Sequence, residues 1–174
     1  PDARVRFYAC EALFNISCLS RAAILTHLYP LFDGLGKLFN DVDVEVKGGA
    51  NLLDRLMKDI VVENAAAFDM RGFAAHLYSQ KYFRSKNPHV RNLVIGWILL
   101  LHHVPAIDAL DCLPAYLNCV FNMLSDRNTA IKNKAYDALV GFLEQIRLQP
   151  TDLNFETIVP ILEEQAHSQH ALQR

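Results

Sequence analysis

A dipeptide in which a β-branched apolar residue precedes a cation recurs four times at nearly even spacing. The copies are Val5-Arg6, Val46-Lys47, Val90-Arg91 and Ile131-Lys132, at offsets of 41, 44 and 41 residues. A fixed period of this size constrains the fold more than any other feature, because one supersecondary unit must then recur along the chain. Three residues before each pair stand Asp2, Asp43, Asn87 and Asn128, whose side-chain oxygens suit the free amides of a first helical turn. Ala9, Ala50, Val94 and Ala135 follow four residues after the β-branched position, and Ile16, Met57, Leu101 and Phe142 eleven after it, the spacing of one helical stripe. Each pair therefore opens an amphipathic helix, over about 2–19, 44–62, 88–104 and 129–148, with Pro88 in a tolerated first-turn position. Segments 21–39, 70–83, 107–124 and 155–168 also carry helical apolar spacing and supply partner helices, three of them marked by Pro30, Pro114 and Pro160. Residues 42–46 alternate like a strand, but Leu52, Leu53, Leu56, Met57 and Ile60 behind them are helically spaced. The expected class is all-α.

With 174 residues, 52% of them hydrophobic, the chain can bury a substantial core. Its net charge of −2 gives no global field to hold nucleic acid or an anionic surface, so such a partner needs a local patch. The longest uninterrupted apolar run, 93–101, gives about 14 Å of helix, half of what a hydrocarbon core requires; no membrane span is expected. Cys10, Cys18, Cys112 and Cys119 show no CxxC pairing and lie in apolar-periodic stretches, so they read as small core residues of a reducing, cytoplasmic compartment. Asn15-Ile16-Ser17 matches the glycosylation triplet, but mid-helix it is a chance match. The chain starts at Pro1 inside a structural unit and ends after the first helix of another, so a fragment with flanking repeats is expected.

Paired helices with a proline in the first, an acidic turn and a Val-cation start to the second resemble the HEAT repeat family. Asp41 and Asp126 match its Asp five residues before the β-branched position, while the third copy has Ser85 there and lacks the proline near Phe73. The resemblance implies a HEAT/armadillo-like solenoid of antiparallel helix pairs occupying 1–174. A second helix stands at 2–19, full repeats at about 20–62, 63–104 and 105–148, and the first helix of a further repeat at 155–168. In such solenoids Asp and cation form a hydrogen-bonded ladder between turns. The ladder positions are Arg6, Asp41, Lys47, Arg91, Asp126 and Lys132, with Asp41–Lys47 and Asp126–Lys132 the candidate pairs and plain solvated capping the alternative.

Three stretches, PDARVRFYACEALFNI, VKGGANLLDRLMKDIVVE and WILLLHHVPAIDALDCLPAYL, are similar to the N-terminal HEAT region of the vacuole-morphology scaffold family, the adaptor subunits of the phosphatidylinositol 3-phosphate 5-kinase (PIKfyve) complex. The similarity runs from about residue 1 to 165 and is weakest over 65–85. It implies a non-catalytic adaptor that binds the lipid kinase. A Sac-type lipid phosphatase joins indirectly through a C-terminal region missing here, and the complex associates peripherally with endosomal or vacuolar membranes. The rival reading is another HEAT adaptor, such as a transport receptor or phosphatase scaffold.

The residues themselves offer little chemistry, and no enzyme, cofactor or metal site is expected. Gly34-Leu35-Gly36-Lys37 lacks phosphate-loop spacing. His167 and His170 have only Glu163 and Glu164 nearby, and His102 with His103 suit the negative end of a helix dipole. Asp54 falls on an apolar stripe, so Asp54, Arg55 and Lys58 form a candidate inter-repeat clamp or partner contact. Gly48-Gly49 in the same helix suggest close helix approach. Arg71, Lys81, Arg84 and Lys86, with Arg91 and no acid among them, form a candidate basic patch that could meet an acidic protein, a phosphoinositide headgroup or single-stranded nucleic acid, against the default of a solvated face with a few core aromatics; for the chain as a whole nucleic acid is not an expected partner.

Overall fold

A computed structural model describes residues 2–79, 82–148 and 155–167. The helices are α1 Ala3–Ser20, α2 Leu28–Leu38, α3 Val44–Glu63, α4 Met70–Ser79, α5 Pro88–His102, α6 Leu113–Met123, α7 Thr129–Leu148 and α8 Phe155–Ala166. Among the described residues there is no strand, and the 42–46 segment gives way to helix at Val44. The chain is an all-α repeat structure that divides into two compact units, Pro1–Phe68 and Asp69–Arg174.

The helix starts follow from their caps. Asp2 accepts from the Arg4 amide at 3.1 Å, Asp43 from Glu45 and Val46 at 2.8 and 3.1 Å, Asn87 from His89 at 2.8 Å and Asn128 from Ala130 at 2.9 Å. Each satisfies an amide that has no partner inside the helix. The partner helices are shorter than their apolar spacing suggests. Residues Arg21–His27 form a 3₁₀ stretch before α2, and Leu110–Cys112 another before α6. Pro30 and Pro114 then fall within the first turn of each α-helix, where a missing N–H costs nothing. The corner between α1 and the 3₁₀ stretch is Arg21, whose φ of 44° is the only positive value at a non-glycine among the described residues.

In the first unit α1 packs on α3, and α2 and the 3₁₀ stretch also close on α3. Phe32 and Leu35 of α2 and Val46, Ala50, Met57 and Ile60 of α3 form its core, with Cys10 of α1. The repeat register breaks in α1, where Val5 is 58% and Ile16 49% exposed while Cys10 and Ser17 are buried. The elements that pack on α1 meet its other side. In the second unit α5 packs on α7, and α6 on α4 and α8, the pairing of helices two apart that stacked repeats require, and α6 also packs on its neighbour α7. Trp97 lies in the core 5.3 Å from the Phe73 ring, and Tyr116 donates its hydroxyl to the Ala109 carbonyl. At positions 90, 94 and 101 of α5, and 131, 135 and 142 of α7, the stripe is buried as the period predicts.

Two expectations need correction. Ala3–Leu38 contains an 18-residue window that meets the length and composition of a membrane span; counting uninterrupted runs misses it, because polar residues such as Asn15, Ser17 and Ser20 break the runs without bringing the mean hydropathy of the stretch far down. The helical path is broken inside that stretch at Arg21. Cys18 is exposed, whereas Cys10, Cys112 and Cys119 are buried. Burial pushes the Cys112 thiol up to about 11, with Asp111 adding to it, and the Cys119 thiol up to about 12, so both are inert at neutral pH.

Candidate protein-binding surface

The α1–α3 face of the first unit carries a groove of about 560 Å³. Phe7, Cys10 and Phe14, one helical stripe of α1, form one wall. Gly48, Gly49 and Leu52 of α3 form the other, and Glu11 and Glu45 stand on its rims. The glycines hollow it out: a Cβ on Gly48 would meet nothing within 4 Å, while one on Gly49 would lie 3.4 Å from Cys10 Sγ. Only Gly49 therefore marks a close approach between helices. Leu52 is 55% exposed, so the groove presents an apolar anchor point with acidic edges. The repeat pattern did not single out this site; Gly48-Gly49 was its one visible signal.

The ladder residues pair differently from expectation. Asp41 is held by Arg6 and not by Lys47: Arg6 Nε donates to Oδ2 at 2.6 Å and Nη2 to Oδ1 at 2.9 Å. Asp126 is held by Arg91 and not by Lys132, through Nε at 2.5 Å and Nη2 at 3.2 Å. Each fork spans 35 residues, from the start of one helix to the turn before the helix that packs beside it. Each carboxylate also accepts from the amide two residues on, Asp43 at 3.0 Å and Asn128 at 2.8 Å. Ser85 makes the same turn in the third copy, accepting from the Asn87 amide at 3.3 Å. The Arg6 fork, aided by the Asp43 amide, holds the Asp41 carboxyl down at about 2. Burial acts to raise that of Asp126, but Arg91 and the Asn128 amide outweigh it and the group sits below the usual range.

Asp54 is buried, and its charge partner is Lys58 one turn on, with Nζ donating to Oδ2 at 2.6 Å. That pair lies within α3 and not between repeats, and Arg55 is exposed. The basic patch is divided. Arg71 pairs with Asp111 and lines a shallow groove with Tyr78 and Pro114, Arg91 is taken by Asp126, and Lys81 lies outside the described residues. Arg84 and Lys86 stay exposed. His102 is buried at the end of α5 against Phe142, with ring centroids 4.6 Å apart, and burial lowers its pKa. No cluster of three metal-ligating side chains occurs among the described residues, and His170 lies outside them.

Stacked helix pairs define a protein of the helical-repeat class. The family described as the "Vacuolar 14 Fab1-binding region" matches residues 1–59, which include α1 and most of α3. The chain is 41% identical over 167 residues to "Protein VAC14 homolog" of Arabidopsis thaliana, covering 96% of this chain and 22% of that protein. Against the protein of the same name from Schizosaccharomyces pombe it is 31% identical over 179 residues, covering 84% and 22%. "Vacuole morphology and inheritance protein 14" of Saccharomyces cerevisiae is 26% identical over 178 residues, covering 82% and 20%. The chain belongs to the VAC14 family and spans about a fifth of the length of these relatives. No solved structure matches it.

Proposed function

We propose that this chain is a non-catalytic docking element that binds a Fab1-type phosphatidylinositol 3-phosphate 5-kinase through the α1–α3 groove. One observation carries the reading: the match to a Fab1-binding region, residues 1–59, takes in both walls of the groove. Phe7, Phe14 and Leu52 would receive an apolar side chain of the kinase, and Glu11 and Glu45 would favour flanking Lys or Arg. The period of about 42 residues, through repeats 20–62, 63–104 and 105–148, supports a HEAT-type adaptor in which Arg6–Asp41 and Arg91–Asp126 hold neighbouring helices in place. On this reading Asp54 and Lys58 brace α3 from within.

Assembly with a Sac-type phosphatase falls to the nearly four-fifths of the relatives' length that this chain does not match. Attachment to vacuolar or endosomal membrane would be peripheral, through the complex. The test fills the groove. Gly48→Leu starts its side chain at a Cβ that meets nothing within 4 Å, and Leu52→Asp removes the anchor point. Both variants should remain folded by circular dichroism yet lose capture of the kinase in a pull-down; capture at the wild-type level by both would overturn the proposal.

A further inference from the structure

A second cleft, of about 580 Å³, lies in the unit Asp69–Arg174 where the turn before α5 meets the turn before α7. Lys86 comes from the first turn and Arg127 from the second, and each turn adds a serine, Ser85 and Ser125. Asn122 gives a side-chain amide, and Phe83 and Met123 an apolar floor. The one acid in the lining, Asp126, is already occupied by the two-pronged Arg91 fork and the Asn128 amide. Among the described residues the Lys86 and Arg127 side chains make no ion pair. The cleft is therefore net positive although the chain is net negative. Lys132 stands close enough to act on the Asp126 carboxylate, and exposed Arg84 is two residues from Lys86. The N-termini of α5 and α7, of 15 and 20 residues, leave these same turns and add their positive dipole ends.

From this geometry we infer that the cleft is a binding site for a phosphomonoester-bearing headgroup of inositol phosphate size. Separated cations, hydroxyls and an amide around a mixed floor match two or more phosphates on a polyhydroxyl ring. The volume is that of a small-ligand site. A nucleic-acid strand fits less well, since it needs a long cationic track and exposed aromatic faces for stacking, and Phe83 is half-buried. The inference is independent of kinase docking, which involves the other unit.

The test uses flotation of the whole chain with phosphatidylcholine vesicles containing 5% phosphatidylinositol 3-phosphate or phosphatidylinositol 3,5-bisphosphate, against phosphatidylcholine alone. Titration with soluble inositol hexakisphosphate runs beside it. Phosphoinositide-dependent flotation, suppressed by salt, marks a lipid headgroup; binding to the soluble compound without flotation marks a free inositol phosphate. Either supports the site provided that Lys86→Glu/Arg127→Glu weakens binding by at least about 30-fold, the factor that loss of two cations at about 1 kcal/mol each already gives. Lys37→Glu, an exposed cation of the other unit, should leave binding unchanged. A milder Lys86→Ala/Arg127→Ala pair should give the same ranking if the reversal disturbs folding. No binding in either arm, binding indifferent to both pairs of substitutions, or preference for an oligonucleotide would overturn it.

Discussion

Single residues show how tightly this fold is packed, and the glycines separate two cases. A Cβ on Gly141 of α7 would lie 2.4 Å from Nε2 of buried His102, which cannot swing aside as a flexible side chain would. Overpacking of this kind costs about 1–3 kcal/mol, and alanine regains about 1 kcal/mol of helix propensity. Gly141→Ala should therefore destabilise the protein by up to about 2 kcal/mol in urea unfolding. Gly48→Ala meets open space and should stabilise it by up to about 1 kcal/mol. The sequence suggests close approach at Gly48-Gly49, where only Gly49 has a neighbour, and offers no hint of the tighter contact at Gly141. A glycine's neighbours come from a helix some forty residues away, and one period of repeat does not tell which side chain projects there.

At the scale of elements, the Arg–Asp forks join the start of one helix to the turn before its packing neighbour, and they make stability depend on acid. A carboxyl whose folded pKa is lowered contributes stability that is fully present above its unfolded value near 4. That contribution is lost as pH falls through the folded value, about 2 for Asp41. The wild type should hold its urea midpoint from about pH 7 to 5 and lose it below about pH 4. Asp41→Asn should be weaker at pH 7, with the gap to wild type closing towards pH 2. Asp126, only 4% exposed at its side chain, makes charge-assisted bonds, so Asp126→Ala should cost about 2 kcal/mol at pH 7. Helix starts, caps and the buried stripe of α5 and α7 were legible because caps and periodicity are local. The 3₁₀ stretches at Arg21–His27 and Leu110–Cys112 were hidden, since apolar spacing cannot distinguish them from α-helix. The fork partners were hidden too: Lys47 and Lys132 stand six residues after the two aspartates, at the cation position of the repeat, but packing brings Arg6 and Arg91 to them.

For the molecule as a whole, the proposed function rests on two surfaces. One unit offers an apolar groove with acidic edges, and the other a cationic cleft, a division that the overall charge of −2 conceals. The +5 stretch of sequence from 71 to 91 overstated the second surface, because Arg71 and Arg91 meet Asp111 and Asp126 across the fold. The most direct measurement places a photo-crosslinking amino acid at position 52, in the groove, or at position 136, where Tyr136 is 63% exposed on α7, and irradiates the chain with the purified kinase. Our account predicts a kinase adduct from position 52 that the Gly48→Leu plug abolishes, and little or none from position 136. An adduct from position 136 alone, or one from position 52 that survives the plug, would contradict it.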